Sequence, residues 1–119
     1  MTEAELTPFL PLSPAALHIL LSLASEDRHG YGIMQDVARQ SEGKYKLGPG
    51  TLYDNLQKLM NQAMVEEAPR RSADDDPRRR YYCLTRFGRG VLSAEIARLE
   101  SVVREAKQHL RIPVPRRAS

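Results

Sequence analysis

The apolar residues of this chain recur mostly at helical intervals, and the clearest example follows a Gly-Pro-Gly turn near the middle of the sequence. Leu52, Leu56, Leu59 and Met60 are spaced by four, three and one, which places them on one side of a helix. Thr51 precedes this stripe, at the position where an N-cap residue is expected. The pattern therefore predicts an amphipathic helix with one buried face.

The remaining faces of this helix carry side chains that can hydrogen-bond to base edges and phosphates. These are Thr51, Tyr53, Asn55, Gln57, Lys58 and Asn61. Asp54 is the only acid between Thr51 and Gln62. The composition suits a helix that is half buried in its own domain and half presented to nucleic acid. An ordinary surface helix of a small α-protein has the same periodicity.

Two further helices are predicted before this one. Ser13-Pro14 combines an N-cap serine with a proline at the first helical position, and Ala15 to Ala24 is dense in Ala, Leu and Ile, which predicts a largely buried helix. After a polar turn from Glu26 to Gly30, a second helix opens at Tyr31-Gly32 and ends before Gly43. Its short connection to the next helix matches a helix-turn-helix.

Two short strands are predicted after the helix-turn-helix, at Met64–Ala68 and Arg80–Thr85. The segment Pro69–Arg79 between them is a polar loop in which arginines surround the acidic run Asp74–Asp76. Including the first residue of the second strand, the arginines are Arg70, Arg71, Arg78, Arg79 and Arg80. A helix-turn-helix followed by a β-hairpin predicts a winged helix, and arginines at the base of a wing are placed to reach phosphates or a minor groove.

A last helix is predicted from Arg86 to about Arg111, with Thr85 as its cap. Apolar residues recur along it at intervals of four, three, four, three and four, which is a heptad pattern. They are Leu92, Ile96, Leu99, Val103, Ala106 and Leu110. The other faces carry charged side chains such as Glu95. Such a stripe could also pack on the helix's own domain, but the short helices of that domain already bury their stripes in one another. A seam of this length therefore favours pairing with a second copy of the chain, and we expect a homodimer.

The predicted fold class is therefore mainly α with a small β-hairpin: a winged helix-turn-helix plus a long C-terminal dimerisation helix. We divide the chain into a flexible lead-in (1–12), a winged helix-turn-helix DNA-binding domain (13–85), a dimerisation helix (86–111) and a disordered basic tail (112–119).

Composition narrows the function without deciding it. The net charge of +3 permits an anionic partner, and the single cysteine, Cys83, fits a reducing cytoplasm. No apolar run approaches the roughly 20 residues that span a bilayer, so no membrane association is expected. The histidines His18, His29 and His109 lie on different segments, and the chain has no metal motif, phosphate loop or spaced carboxylate pair. We therefore expect no cofactor and no enzyme activity.

Three motifs give the chain a family resemblance. His29–Ile33 (HGYGI) lies at the start of the second helix, Gly50–Tyr53 (GTLY) lies at the third helix, and Arg79–Thr85 (RRYYCLT) lies on the second wing strand. In this order, and followed by a C-terminal helix, they resemble the PadR-type transcriptional regulators over nearly the whole chain, from Leu12 to Leu110.

The resemblance implies a dimeric winged helix that represses transcription by binding operator DNA. Thr51, Tyr53 and Lys58 fall on the family's recognition helix, and Arg79 and Arg80 fall on its wing. The chain departs from the commoner pattern just after that helix, where a glycine is usual and the sequence Asn-Gln-Ala-Met stands instead. The three wing aspartates also depart from a uniformly basic wing.

The leading hypothesis is a homodimeric repressor that binds double-stranded DNA at a near-palindromic site. Thr51 and Asn55 are the candidates for base contacts, and Tyr53 for a phosphate or sugar contact. The candidate phosphate contacts are Lys46, Lys58, Arg78, Arg79 and Arg80. The alternative is a winged helix that binds another protein and not DNA, which the modest net charge and the acidic wing favour.

Regulation stays open at the level of sequence. A small-molecule effector could bind at an apolar dimer interface, but its identity is unknown. Cys83 lies on a strand beside tyrosines, which favours a buried structural thiol over a redox sensor.

Overall fold

The computed structural model describes residues 1–69 and 78–113. Two helices form the base of the domain. The first of them, α2 (Pro14–Ser25), begins as predicted, because the Ser13 hydroxyl accepts a hydrogen bond from the Ala16 backbone N–H at 3.1 Å. The next, α3 (Gly30–Gln40), begins one residue before the predicted start. Nδ1 of His29 caps it by accepting from the Gly32 N–H at 3.0 Å.

The central amphipathic helix, α4, spans Pro49–Asn61, and its N-cap is Gly48. The prediction that Thr51 caps this helix is wrong. Proline is favoured at the first helical position, so the N-cap lies three residues earlier than predicted and Thr51 is exposed in the first turn. The apolar stripe is confirmed, since Leu52, Leu56 and Leu59 are buried.

The sheet has three antiparallel strands: β1 (Arg28–His29), β2 (Val65–Ala68) and β3 (Tyr81–Leu84). Strand β3 lies in the middle, between β1 and β2. In the predicted hairpin, Val65 lies opposite Leu84 and Ala68 opposite Tyr81. Strand β1 was predicted as a polar turn. A two-residue strand is too short to show a periodicity, and it exists because β3 offers it a second edge.

Arg28 explains why the chain follows this path into β1. Its Nε donates to the backbone carbonyl of Ser22 at 2.9 Å, and its guanidinium lies 3.6 Å from a carboxylate oxygen of Asp36. Asp36 is almost fully buried on α3. Burial raises the pKa of this carboxyl, but hydrogen bonds from Gln40 and Arg39 and the nearby charge of Arg28 outweigh it, so the net pKa is lowered. The buried charge thus joins α2, β1 and α3.

The core lies between α2, α3, α4 and the inner face of the sheet, and the first turns of the last helix close it. Its most deeply buried apolar side chains belong to all of these elements. They are Ile19, Leu20, Ile33, Val37, Leu52, Leu56, Met64, Val65 and Val91. The wing loop predicted between the strands carries Arg70, Arg71 and the three aspartates, and these fall in residues 70–77, outside the described residues.

The N-terminal segment, which we expected to be a flexible lead-in, contains secondary structure. Helix α1 (Glu3–Leu6) and a 3-10 turn (Thr7–Phe9) pack against the domain. The Phe9 ring meets the Phe87 ring edge to face at 5.2 Å between centroids. The prolines limit the segment to short turns and mask any periodicity, while its apolar side chains supply the packing.

The last helix, α5 (Arg86–His109), begins at the predicted cap, where the Thr85 hydroxyl accepts from the Gly88 N–H at 2.9 Å. Two predictions on this helix need correction. Leu92 is buried in the core of its own domain, so it cannot form the dimer interface, and Glu95 is buried rather than solvent-facing. The domain covers the N-terminal half of the helix, which sequence periodicity cannot reveal. None of the helices in residues 1–69 and 78–113 has the length and hydropathy of a bilayer span.

Candidate nucleic-acid interface

The solvent-facing side of α4 has two flanks and a centre. Successive residues of an α-helix are about 100° apart, so the exposed residues of α4 cover a broad arc opposite the buried leucines. Tyr53 lies at one margin of this arc, towards the sheet. Thr51, Asn55 and Lys58 lie at the other margin, towards the N-terminal segment.

The flank near the sheet forms a cleft of about 460 Å³ that we call the wing-base cleft. Its walls come from the start of α3, from α4 and from the chain entering β3. The lining residues are His29, Gly30, Tyr31, Tyr53, Arg78, Arg79, Arg80 and Tyr82. The structure therefore brings together four of the predicted contact residues, Tyr53 and the three arginines. No acidic side chain lines the cleft among the residues that the structure describes, which makes it suited to an anion.

Close packing between α3 and α4 positions Tyr53 in this cleft. A Cβ atom on Gly30 would lie 2.3 Å from the Tyr53 hydroxyl oxygen, so glycine is needed for this approach. Half of Tyr53 stays exposed in the cleft. Tyr31 is 62% exposed in the same cleft. Sequence reasoning missed Tyr31, although it lies in the HGYGI motif, because a tyrosine at a helix start carries no periodic signal.

The base of the wing is held by Tyr82, whose ring is buried beneath the cleft. Burial is the main cause that raises the pKa of Tyr82, and Tyr53 and Glu67 act in the same direction. Tyr82 is therefore a neutral, structural member of the cleft. Arg80 lies 3.9 Å from a Glu67 carboxylate oxygen, and both side chains are largely exposed. This loose ion pair leaves Arg80 able to turn towards another anion.

The opposite flank of α4 borders a smaller groove of about 200 Å³ against the N-terminal segment. Asn55 and Lys58 line it together with Phe9 and Leu12. The Asn55 side-chain N–H donates to the Thr51 backbone carbonyl at 2.8 Å, and Asn55 is only partly exposed. Asn55 is thus less available to a base edge than expected, while Lys58 is exposed and able to reach a phosphate.

Lys46 lies in the loop that leads into α4. The next residue, Leu47, is buried and fixes this loop to the core, while the side chain of Lys46 is exposed. Behind the loop, the Tyr45 ring stacks on the His18 ring at 4.8 Å between centroids. His18 also makes a hydrogen bond with Gln40 at 3.0 Å, so its role here is packing and hydrogen bonding.

Between the two flanks lies a row of exposed residues that we call the central stripe: Gly50, Asp54, Gln57 and Asn61. Its members are spaced by four, three and four, so they form one ridge along α4. Cations lie on both sides of this ridge and none lies on it. That order matches a DNA major groove, in which base edges are bounded by two phosphate backbones.

Cys83 lies on β3, partly buried, with its sulfur 3.8 Å from a Glu66 carboxylate oxygen. Burial and the negative charges of Asp27 and Glu66 raise the pKa of the thiol. A thiol with a raised pKa is a poor nucleophile at neutral pH, which supports a structural role. Within residues 1–69 and 78–113, no group of three or more His, Cys, Asp or Glu is placed to hold a metal ion.

A second surface lies on α5, away from the wing-base cleft. From the middle of the helix to its C-cap, large apolar side chains are exposed: Ile96, Val102, Val103 and Leu110. Beside them a groove of about 870 Å³ runs between α1 and α5, with Leu6, Leu10, Ala94 and Ala97 in its walls. Exposed apolar area of this extent marks an interaction surface.

A helix-turn-helix with a three-stranded wing, a basic cleft and a projecting C-terminal helix defines a winged-helix DNA-binding protein. Residues 19–94 match the transcriptional regulator PadR-like family, and the chain belongs to that family. It is therefore a transcriptional regulator and not an enzyme.

Individual relatives agree with this assignment. The chain is 34% identical over 89 residues to the transcriptional regulator Rv3488 of Mycobacterium tuberculosis, covering 75% of this chain and 78% of that protein. A PadR-like transcription factor from Bacteroides fragilis is 27% identical with a TM-score of 0.61, covering 80% and 87%. A PadR family regulator from Clostridium difficile shares the fold, with a TM-score of 0.67, 22% identity and coverage of 82% and 99%.

Proposed function

We propose that the chain is a homodimeric repressor that binds double-stranded DNA at a near-palindromic operator in the cytoplasm. The observation that carries this proposal is the arrangement of charge around α4. Arg78, Arg79 and Arg80 lie on one side of its exposed face, and Lys58 lies on the other. A helix with cations on both flanks can enter a major groove and neutralise the phosphates of both backbones.

Each contact residue then has a distinct role. Tyr53 and Tyr31 contact sugar or phosphate from the wing-base cleft, and the arginines grip the flanking backbone. Lys58 neutralises a phosphate on the other strand, and Lys46 neutralises one beside the loop that leads into α4. Thr51, in the first turn of α4, reaches a base or its phosphate, and Asn55 supports it from the margin of the interface. The assignments follow from which flank each side chain occupies.

Homodimerisation follows from the uncovered part of α5. The C-terminal half of the helix extends beyond the domain, and the described residues measure 53 × 33 × 32 Å. Val102 and Val103 are each 50% exposed, and Leu110 is 70% exposed. The valines are already half buried, so covering the rest of each stabilises a complex by roughly 1 kcal/mol. The interface therefore consists of Ile96, Leu99, Val103, Ala106 and Leu110, together with Val102.

Pairing through α5 fixes the distance between two recognition helices. Two copies of α4 related by a two-fold axis contact successive major grooves about 34–36 Å apart. Occupation of a promoter by such a dimer blocks access of polymerase, and this suffices for repression. The groove between α1 and α5 has a volume in the range of small-molecule sites. We therefore predict that an effector, if the protein has one, binds there.

DNA binding can be tested by fluorescence anisotropy with the chain's own promoter fragment and with a random duplex, over a range of salt concentrations. We expect salt-sensitive binding to both, tighter to the promoter. The triple variant Lys58→Ala, Arg79→Ala, Arg80→Ala should weaken both and flatten the slope of log K against log salt by about one for each lost phosphate contact.

Arg104→Ala serves as the matched control, because it removes an exposed arginine from the C-terminal half of α5. It should leave both affinities and the salt slope unchanged. If the wild type bound neither the promoter fragment nor the random duplex at low salt, the proposal would be overturned and the protein-interaction alternative favoured.

A further inference from the structure

The central stripe lies at the position on α4 that a base edge would meet. At about 100° per residue, Gly50, Asp54, Gln57 and Asn61 fall within roughly 60° of one another and roughly opposite the buried leucines. All four residues are exposed. The predicted contact residues, by contrast, lie on the flanks. Gln57 and Asn61 were counted among the polar side chains of this helix but not chosen as contact residues, and they lie at the centre of its exposed face.

The chemistry of the stripe differs from that of its flanks. It carries two amides and a carboxylate and no cation, so it has little attraction for phosphates. Base edges in the major groove, however, present paired donors and acceptors that neutral amides match. Gly50 adds no side chain at the start of the ridge, and nothing lies within 4 Å of the position of its missing Cβ. The first turn of α4 can thus approach the groove closely.

A hydrogen bond within the stripe orients its central amide. Gln57 Nε2 donates to Asn61 Oδ1 at 3.1 Å, one helical turn away. This contact uses one N–H of Gln57 and leaves the second N–H and the carbonyl Oε1 open. A free donor and a free acceptor on one amide match N7 and the N6 amino group of adenine. Asn61 holds the amide in place before DNA arrives, which reduces the entropy lost on binding.

We propose that Gln57 reads an adenine in each half-site through a bidentate contact and that Asn61 is its positioning residue. This inference rests on the proposed DNA-binding function. It assigns the recognition of specific bases to the central stripe. The flanking cations then contribute to the affinity for DNA of any sequence.

The test is selection of binding sites from a random duplex library with the wild type and with Gln57→Ala. The wild type should select sites with a fixed A·T pair at one position of each half-site. Gln57→Ala should lose that preference and bind the selected site about ten- to hundredfold more weakly. Its affinity for random duplex should stay unchanged. Gln57 is exposed, so the variant is expected to fold normally.

An adenine analogue that lacks N7 separates the direct contact from an indirect effect. Replacing the selected adenine with 7-deazaadenine should weaken wild-type binding and have no further effect on Gln57→Ala. Asn61→Ala should lose part of the preference, whereas Asn61→Asp should keep it, because aspartate retains the oxygen that accepts from Gln57. Gln62→Ala, at an exposed neighbouring glutamine, is the matched control and should select the wild-type site.

The outcomes distinguish the two proposals. If the wild type binds no duplex, the proposed function fails. If the wild type selects a site and Gln57→Ala selects the same site with the same stringency, DNA binding stands and the assignment of Gln57 is overturned.

Discussion

At the scale of single residues, Glu95 departs most clearly from expectation. Its side chain is 1% exposed, and its Oε2 accepts a hydrogen bond from the Leu12 backbone N–H at 2.7 Å. Its other oxygen pairs with Arg98 one turn along α5. The hydrogen bond from Arg98 lowers the pKa of Glu95, against the opposing effect of burial, and the bond from Leu12 adds to the lowering. One carboxylate thus fastens the N-terminal segment to the last helix.

Replacing this carboxylate should cost stability in a pH-dependent way. A folded-state pKa below the ordinary value of 4.5 means that the stabilisation is fully present above about pH 4.5 and is lost as the pH falls through the lowered pKa. We expect Glu95→Gln to reduce the free energy of unfolding by about 1–3 kcal/mol at pH 7. The difference from wild type should shrink below about pH 4.

Urea denaturation followed by circular dichroism at pH 7 and pH 3.5 measures this effect. Glu100→Gln, an exposed position on the same helix, should change stability by less than about 0.5 kcal/mol at either pH. If Glu95→Gln lowered the free energy of unfolding equally at both pH values, the negative charge of Glu95 would not be the source of the stabilisation.

Ala63 shows how a single residue can depart from a family pattern and keep its geometry. It follows α4 with a φ of 61°, in the left-handed region that favours glycine. A side chain in this conformation costs roughly 1–2 kcal/mol. The surrounding contacts hold the turn nevertheless, because the Ala63 carbonyl accepts a hydrogen bond from the Thr85 hydroxyl at 2.6 Å. The missing glycine therefore leaves the path from α4 into the wing intact.

At the scale of elements, the start of α5 is joined to the end of α4. The Thr85 backbone N–H donates to the Met64 carbonyl at 3.1 Å, next to the bond that its hydroxyl makes with Ala63. Gly88 lies against the same segment, where an added Cβ would be 2.0 Å from the Met64 carbonyl oxygen. A glycine that weakens a helix by propensity is here required for packing.

Gly88→Ala should therefore destabilise the domain, whereas Gly90→Ala should not. The new methyl at residue 88 meets backbone that cannot move without breaking the turn, and overpacking of this kind costs about 1–3 kcal/mol. At residue 90 the nearest atoms are the end of the flexible Met1 side chain, and alanine gains helix propensity of up to about 1 kcal/mol. Thermal melts of the two variants compare the effects directly. Similar melting temperatures would argue against the close approach.

At the scale of the whole molecule, the domain and the projecting part of α5 serve separate purposes. The Cα radius of gyration is 16.5 Å, above the roughly 13.5 Å expected for a compact chain of this length. The excess reflects the C-terminal half of α5, which carries its apolar side chains into solvent. The proposed dimer would cover them, because a second copy with the same seam is self-complementary about a two-fold axis.

Val103→Asp should dissociate the proposed dimer, because it would place a charge in the middle of the apolar seam. Sedimentation equilibrium should show a dimer for the wild type and a dissociation constant raised at least about a hundredfold for the variant. Gln108→Asp introduces the same residue on the opposite, exposed side of the helix and should remain dimeric. A monomeric wild type would refute the interface itself.

The amino-acid sequence alone determined the order of the main helices and strands, the winged-helix class and the transcriptional-regulator family. The sequence predicted best the features that depend on neighbouring residues. These are the helix caps at Ser13 and Thr85, the buried leucines of α4 and the strand around Tyr82. Each depends on neighbours within one or two turns, so periodicity and capping chemistry suffice to predict it.

The tertiary structure decided what depends on contacts between distant segments. It paired β1 with β3, packed the N-terminal segment on α5, and buried Leu92 and Glu95 beneath it. It also separated the polar residues of α4 into two flanks and a centre. A helical pattern states which residues share a face, but the direction of that face depends on the elements packed around it. The sequence places Gln57 among the polar side chains of α4, and the elements packed on either side of the helix make it the candidate for base recognition.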